Sequence, residues 1–100
     1  MVYEILVGTI KPDKLNTWNE NEEPFDILED FKSIKEIDWI SFLGAARKLF
    51  TDEVQVDWGS FAFKATKAQL QQLAEKYGAR IEGLCDLPDE NLGVVFIEMS

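Results

Sequence analysis

The two ends of the chain are its most hydrophobic stretches, and neither alternates between apolar and polar residues. Residues 2–10 are apolar at even and odd positions and contain one acid, Glu4, and residues 93–99 repeat this pattern around Glu98. A strand covered on one face alternates, whereas a strand covered on both faces does not. The pattern therefore predicts two central strands of one sheet and leaves open whether they pair.

The polar stretch after the first strand contains one large aromatic residue. Residues 15–24 are rich in Asn and Glu and are typical of a surface loop or a short helical turn. Trp18 is predicted to cap the core, with an exposed anchor as the alternative, because large aromatic side chains are mostly buried. Pro24 then opens a predicted helix over residues 25–31, where apolar residues recur at helical spacing.

A longer helical pattern follows in the middle of the chain. The apolar residues of 39–50 form one stripe at helical spacing, and Asp38 precedes them as the predicted N-cap. The alternative is one long helix that starts at a capping box at Ser33. Gly44 and the alanines after it predict a close approach of this helix to the sheet.

The next segment has the two-residue period of a half-buried strand. Residues 53–58 alternate cleanly, with the apolar side chains at even positions. After Gly59 the parity changes, and Phe61 and Phe63 become the apolar positions. Such a change requires a bulge or a tight turn, so two short strands and one bulged strand both remain open.

The last third of the chain begins with a strong helix signature. Thr66 and Gln69 have the spacing of a capping box, and Gly78 is a typical residue at the end of the helix that they open. Residues 79–85 are predicted to form another strand. The loop 86–91 then leads to the last strand as a hairpin. The whole pattern predicts an α+β fold, a single sheet of four to five mainly antiparallel strands with two to three helices packed on it.

Length and composition indicate one domain spanning residues 1–100. A chain of 100 residues with 46 % hydrophobic residues can build a core without disulfides or metal. The single cysteine, Cys85, suits a reducing compartment. The N-terminus lacks the basic region of a signal peptide, and no stretch approaches the roughly 18 apolar residues that a membrane-spanning helix needs. We expect a soluble, cytoplasmic protein.

The residue types that carry most enzyme chemistry are missing. The chain has no histidine and one cysteine, which excludes histidine-based catalytic triads and zinc sites built from histidine or several cysteines. It also lacks a glycine-rich phosphate-binding motif and the ligand spacing of a calcium-binding loop. Glu4 and Glu98 could act as a general acid and base if both were buried. We favour the alternative in which each points outward or pairs with Lys64 or Arg80. We therefore predict no catalytic residue, metal or cofactor.

The charge of the chain is its most informative bulk property. Nineteen acids against ten bases give a net charge of −9, which disfavours direct binding to nucleic acid or to an anionic membrane. Eight acids but only two bases lie between residues 20 and 38, and aromatic residues are interleaved with the acids. Acids beside aromatic anchors favour an interface with a basic protein. A single acidic cluster, taken alone, is more typical of a solvated face. The candidate partner-binding residues are Glu20, Glu22, Glu23, Asp26, Glu29, Asp30, Asp57 and Trp58.

In size, acidity, α+β pattern and lack of catalytic residues, the chain resembles the small immunity proteins and inhibitors that bacteria make against their own toxins. The resemblance implies a non-catalytic cytoplasmic protein that blocks the active site of a basic partner, such as a nuclease toxin, by acidic occlusion. It rests on no shared motif, so it assigns no role to any residue. Two alternatives remain: a nucleic-acid mimic that acts on a DNA-binding or restriction protein, and a small-molecule-binding domain that uses Glu4 or Glu98.

Overall fold

The computed structural model describes residues 2–18, 23–34, 38–57, 59–78, 81 and 83–99. These residues form one five-stranded antiparallel sheet with helices packed on it, which confirms the predicted α+β fold. The strands are β1 (Val2–Ile10), β2 (Leu28–Ile34), β3 (Thr51–Asp57), β4 (Ser60–Ala65) and β5 (Leu92–Met99). The helices are α1 (Pro12–Asn16), α2 (Trp39–Leu49) and α3 (Lys67–Tyr77). The strand order is β2-β1-β5-β4-β3.

The two terminal strands pair at the centre of the sheet, as their hydrophobic pattern predicted. β5 lies in the middle position with β1 beside it, and Ile5 stands opposite Phe96 while Leu6 stands opposite Val95. Both faces of this pair are buried. Burial on both faces removes the need for polar residues at alternate positions, which explains why neither strand alternates.

One face of the sheet is covered by α2 and α3, and we call it the helix face. Its core is built around Phe96, which makes edge-to-face contacts with Trp39, Phe42 and Phe63 at ring-centroid distances of 5.7, 5.9 and 5.6 Å. Edge-to-face contacts between aromatic rings add to the stabilisation that burial of their area provides. Leu73 of α3 is buried in the same cluster.

The opposite face, which we call the loop face, is covered by the connection between β1 and β2. Trp18 and Ile27 of this connection are buried against strand residues such as Leu6 and Val95. Trp18 is 5 % exposed, and its indole Nε1 donates a hydrogen bond of 2.6 Å to the backbone carbonyl of Asp52. The prediction that Trp18 caps the core is confirmed.

The two longer helices begin where the sequence predicted. α2 follows Asp38, although the Asp38 carboxylate accepts a hydrogen bond from Ser41 Oγ, at 2.6 Å, rather than from a backbone amide. α3 follows Thr66, which forms both halves of a capping box with Gln69. The alternative long helix from Ser33 is wrong, because that residue lies in β2.

The predicted close approach of Gly44 to the sheet is wrong. Gly44 lies on the exposed side of α2, and a Cβ atom placed there would have no neighbour within 4 Å. Ala46, which the same prediction included, is fully buried in the helix-face core. The helical period decides the difference, because residues two apart point to different sides of a helix.

The predicted helix over residues 25–31 is also wrong. A three-residue 3₁₀ turn, Pro24–Asp26, forms there, and the chain then extends into β2, which pairs with β1. A bulge in β2 shifts the parity, so that Leu28 packs in the core of the loop face and Ile34 in that of the helix face. The shift hides the two-residue period of the strand, and the remaining pattern resembles that of a helix.

The strand predicted over residues 79–85 is wrong for its described part. Leu84–Asp86 forms a 3₁₀ turn, and Gly83 before it has a φ of +70°. The predicted hairpin into the last strand is therefore wrong as well, and β5 pairs with β1 and β4 instead. Leu84 packs into the helix-face core, so its apolar side chain serves burial rather than strand pairing.

The region around Gly59, where the parity changes, forms two strands rather than one bulged strand. β3 and β4 pair as antiparallel neighbours on either side of Gly59, which has a φ of +78°. Glycine adopts this left-handed conformation without the steric cost of a Cβ atom.

Candidate functional site

β2 lies at one edge of the sheet and is exposed over most of its length. It pairs with β1 on one side, and no described strand pairs with its other side. Leu28 and Ile34 at its ends are buried, whereas the five residues between them are exposed. Together with the turn before it, this strand presents a surface that we call the acidic edge. The acidic edge consists of Glu23, Phe25, Asp26, Glu29, Asp30, Phe31, Lys32 and Ser33.

A bulge shapes the acidic edge at its centre. Val7 pairs with Lys32 and Thr9 with Glu29, so that two residues of β2 stand opposite Gly8 alone. A Cβ atom on Gly8 would lie 2.8 Å from the carbonyl oxygen of Glu29 and 2.9 Å from the Cα of Phe31. The close backbone approach at the bulge therefore requires glycine at position 8.

Three acids of the acidic edge have no ion pair within the described part of the chain. Glu23, Glu29 and Asp30 are exposed, and none of them forms an ion pair there, although Glu29 is close enough to Lys11 to help raise the pKa of that lysine. Asp30 lies in the bulge with a φ of +49°. Aspartate tolerates this left-handed conformation better than most residues do. The three carboxylates are thus available to a partner.

Asp26 differs from these acids because two lysines hold it. Lys11 Nζ lies 2.7 Å from Asp26 Oδ1, and Lys14 Nζ lies 3.2 Å from Asp26 Oδ2. The hydrogen bonds from Lys11 and Lys14 lower the pKa of the Asp26 carboxyl, and the Asp26 hydrogen bond raises the pKa of Lys11. Asp26 is therefore the member of the acidic edge that is least available to an external base.

The structure separates the predicted partner-binding residues into two groups. Glu23, Asp26, Glu29 and Asp30 lie on the acidic edge, whereas Asp57 belongs to β3 at the opposite edge of the sheet. The two groups therefore cannot form one continuous patch along the sheet edge. The predictions that fall outside the described residues concern Glu20, Glu22, Trp58, the side chain of Asp57 and Arg80.

Two acids of the opposite edge, Asp52 and Glu53, are neutralised within the chain. Asp52 Oδ2 lies 3.5 Å from Lys64 Nζ, and Glu53 Oε1 lies 3.1 Å from Arg47 Nε. Lys64, one of the bases expected to pair with a strand glutamate, thus pairs with Asp52. Exposed ion pairs of this kind stabilise a protein only slightly, but they remove charge from the surface that a partner meets.

The disfavoured alternative, an acid–base pair of Glu4 and Glu98, does not fit the sheet. Alternate residues of a strand point to the same face, so Glu4 shares the loop face with Leu6, and Glu98 shares the helix face with Phe96. The sheet lies between the two carboxyl groups. They cannot act together on one substrate atom.

The sequence predicted aromatic anchors among these acids, Phe25 being one of them, and Phe25 is 46 % exposed. It missed Phe31, which is 42 % exposed although the predicted helix placed it on its apolar stripe. The bulge at Gly8 aligns Phe31 with the loop face at the rim of the sheet. Nothing in the apolar spacing distinguishes an exposed phenylalanine from a buried one. Ile40, in the first turn of α2, is also exposed.

A shallow groove of about 190 Å³ lies between α2 and α3 on the helical side of the molecule. Its floor is apolar and its rim carries two lysines, each in the last turn of its helix. Lysines at this position favourably oppose the negative end of the helix dipole, which accounts for them structurally. The lining residues are Ala45, Lys48, Leu49, Gln72, Leu73 and Lys76.

Comparison of the chain with protein-family models, with curated proteins and with solved structures gave no match. Among the described residues, no group of three or more Asp, Glu or Cys side chains is arranged so that it could hold a metal ion. No helix in that part of the chain is long and apolar enough to cross a membrane.

Proposed function

We propose that this chain is a non-catalytic protein-binding protein, an immunity protein or inhibitor that blocks a basic partner such as a nuclease toxin. The observation that supports the proposal best is the composition of the acidic edge. Glu23, Glu29 and Asp30 are exposed without ion pairs in the described part, and Phe25 and Phe31 are exposed beside them in sequence. Aromatic anchors next to uncompensated charge are typical of protein interfaces.

In this proposal the carboxylates act in two stages. The net charge of −9 attracts a basic partner over a distance and speeds encounter. After contact, the carboxylates occupy positions at which substrate phosphates would lie, and the two phenylalanine rings slow dissociation. The partner's active site is occluded without any reaction. The proposal places the protein in the bacterial cytoplasm, where an exposed thiol such as Cys85 stays reduced.

The test compares two sets of charge reversals. Glu23→Lys, Glu29→Lys and Asp30→Lys alter the acidic edge, whereas Glu75→Lys, Asp86→Lys and Glu90→Lys alter exposed acids elsewhere that have no ion pair in the described part. Each reversal raises the charge by two, so both triple variants go from −9 to −3. Comparison of the two triple variants separates the effect of where the reversed acids lie from the effect of net charge.

The partner is captured from cells of the source organism, and its association with each variant is measured by surface plasmon resonance at low and high salt. We expect the acidic-edge variant to associate about ten-fold more slowly or worse at low salt, with a much smaller loss at about 1 M salt. The control triple should lose clearly less. Equal losses in both variants would show that only net charge matters, and no loss in the first would show that the acidic edge is a solvated face.

A further inference from the structure

The outer side of β2 is a free strand edge within the described structure. Its backbone groups on that side face no other described strand, and its residues 29–33 are exposed. A row of unpaired N–H and C=O groups can accept a strand from another molecule. We propose that β2 is such an addition site, and that the segment it takes is an extended basic strand of the partner. This inference rests on the proposed function and specifies how the partner binds.

Charge complementarity selects a basic strand. Glu29 and Asp30 are exposed and unpaired within the described part, and Lys32 is the only base of the exposed run. Oppositely charged side chains directly across two strands attract one another, and like charges repel. Glu29 stands opposite Thr9, on the helix-face side of the edge. A strand that alternates lysine or arginine with apolar residues would therefore bring its bases to Glu29 on one face and its apolar residues to the side of Phe31 on the other.

Phe31 supplies the apolar part of the same surface. It lies at the bulge on the loop-face side of the edge and is 42 % exposed. A strand added to β2 would place its own side chains beside Phe31, because cross-strand neighbours on one face approach within about 5 Å. Aromatic and β-branched residues pair well in this position, so the opposing residue is expected to be apolar.

The same features disfavour a second copy of this chain as the occupant. Self-pairing would bring the Glu29 and Asp30 of one copy towards the corresponding acids of the other, and the net charge of −9 on each copy opposes the approach. Charged side chains are one of the devices that protect edge strands from unwanted partners. Here the acids repel an acidic strand and attract a basic one.

The opposite edge is a weaker site for a basic strand. Its acids Asp52 and Glu53 are already held by Lys64 and Arg47, so an incoming base would have to displace an internal partner. This difference predicts binding at β2 in preference to β3.

The test uses three cyclised hairpin peptides of the same length as probes. The first has a free edge strand that alternates lysine with valine, the second is identical but N-methylated on the outward amides of that strand, and the third carries glutamate in place of lysine. Binding to the protein is measured by fluorescence anisotropy at low salt. We expect the basic probe to bind at least about ten-fold more tightly than the N-methylated one, because methylation removes only the backbone donors. The acidic probe should not bind.

Variants of the protein locate the site. Glu29→Lys with Asp30→Lys should weaken binding of the basic probe by about ten-fold or more, whereas Asp86→Lys with Glu90→Lys should change it by less than about two-fold. If the basic and N-methylated probes bind equally, charge acts without strand pairing, and the inference fails while the proposed function stands. If the basic probe does not bind, or binds both variants equally, the edge is not the addition site. Concentration-dependent dimers of the protein in sedimentation would assign the edge to a second copy and likewise overturn the inference.

The proposed function is judged separately from these probes, by the association rates of the captured partner. If the basic probe does not bind the unaltered protein but the acidic-edge variant still associates slowly with the captured partner, strand addition is refuted and the proposed function stands. Unchanged association in that variant would refute the proposed function itself.

Discussion

β2 and β3 lie at opposite edges of the sheet, and each contains a bulge at which an aspartate has a positive φ. Asp30 has a φ of +49° in β2, and Asp52 has a φ of +54° in β3. The two edges therefore use the same backbone device, which breaks regular pairing. They differ in charge: Asp52 is paired with Lys64, whereas Asp30 has no ion pair in the described part. The comparison indicates that side chains, rather than backbone geometry, decide whether the aspartate of a bulge is compensated.

The two bulges are also held in different ways. The Asp52 carbonyl accepts the 2.6 Å hydrogen bond from Trp18, so a buried side chain from the loop face secures β3. The bulge in β2 depends on the close approach of its backbone to Gly8. Its stability therefore rests on the absence of a side chain at one position of the neighbouring strand.

The largest effect on stability is expected at the β2 bulge. Gly8→Ala places a Cβ atom 2.8 Å from the Glu29 carbonyl oxygen, so β1 and β2 must move apart. We expect the free energy of unfolding to fall by about 1–3 kcal/mol, the usual cost of overpacking. The urea midpoint measures it. Gly44→Ala is the matched control, because a Cβ there meets nothing within 4 Å, and it should stabilise α2 by about 0.5–1 kcal/mol. An unchanged urea midpoint in Gly8→Ala would show that β1 and β2 can move apart at this position without loss of stability.

A smaller effect is expected at the β3 bulge. Trp18→Phe keeps an aromatic ring on the loop face but removes the donor to the Asp52 carbonyl. The loss of one hydrogen bond to a part-buried carbonyl should lower the free energy of unfolding by about 1–2 kcal/mol. Amide hydrogen exchange should accelerate in β3 and not in β2. Equal acceleration in both strands would mean that Trp18 supports the core as a whole and not that edge.

The smallest expected effect concerns the one neutralised acid of the acidic edge. Lys11 and Lys14 lower the pKa of Asp26 in the folded protein, so the folded state holds its proton less tightly than the unfolded state does. The contribution to stability is present above the unfolded pKa and is lost as the pH falls through the lowered folded pKa. NMR titration of the side-chain carbon should give a midpoint below the ordinary aspartate range, and Lys11→Met should return it towards that range. An ordinary midpoint in the unaltered protein would contradict the pairing.

The predictable parts of the fold are those with local signals. The capping box at Thr66, the stripe after Asp38 and the unbroken apolar strands at both termini each lie within a few residues of sequence, and the structure bears out all three. The helix expected over residues 25–31 is not formed because residues 28–34 pair with β1, from Leu28 with Ile10 to Ile34 with Ile5, and because the bulge hides the two-residue period of this strand. Tertiary pairing overrode the local pattern there.

The candidate site was predictable in outline only. Its acids stand together in the sequence, so the stretch that contains Glu23, Glu29 and Asp30 could be selected from charge alone. Which acids are neutralised by bases of the same chain could not be foreseen. Asp26 is held by Lys11 from fifteen residues away, and Glu53 is held by Arg47 across the end of a helix. The exposure of Phe31 depends on Gly8 in another strand and was equally beyond a local pattern.

In the proposed mode of binding, the β2 edge is open to a basic partner and the β3 edge is not. Hydrogen–deuterium exchange of the protein, free and saturated with the basic hairpin probe, tests it directly. We expect slower exchange of outward-facing amides within Leu28–Ile34 and unchanged exchange within Thr51–Asp57, because an added strand protects the amides with which it pairs. Protection confined to Thr51–Asp57, or to the groove between α2 and α3, would contradict it.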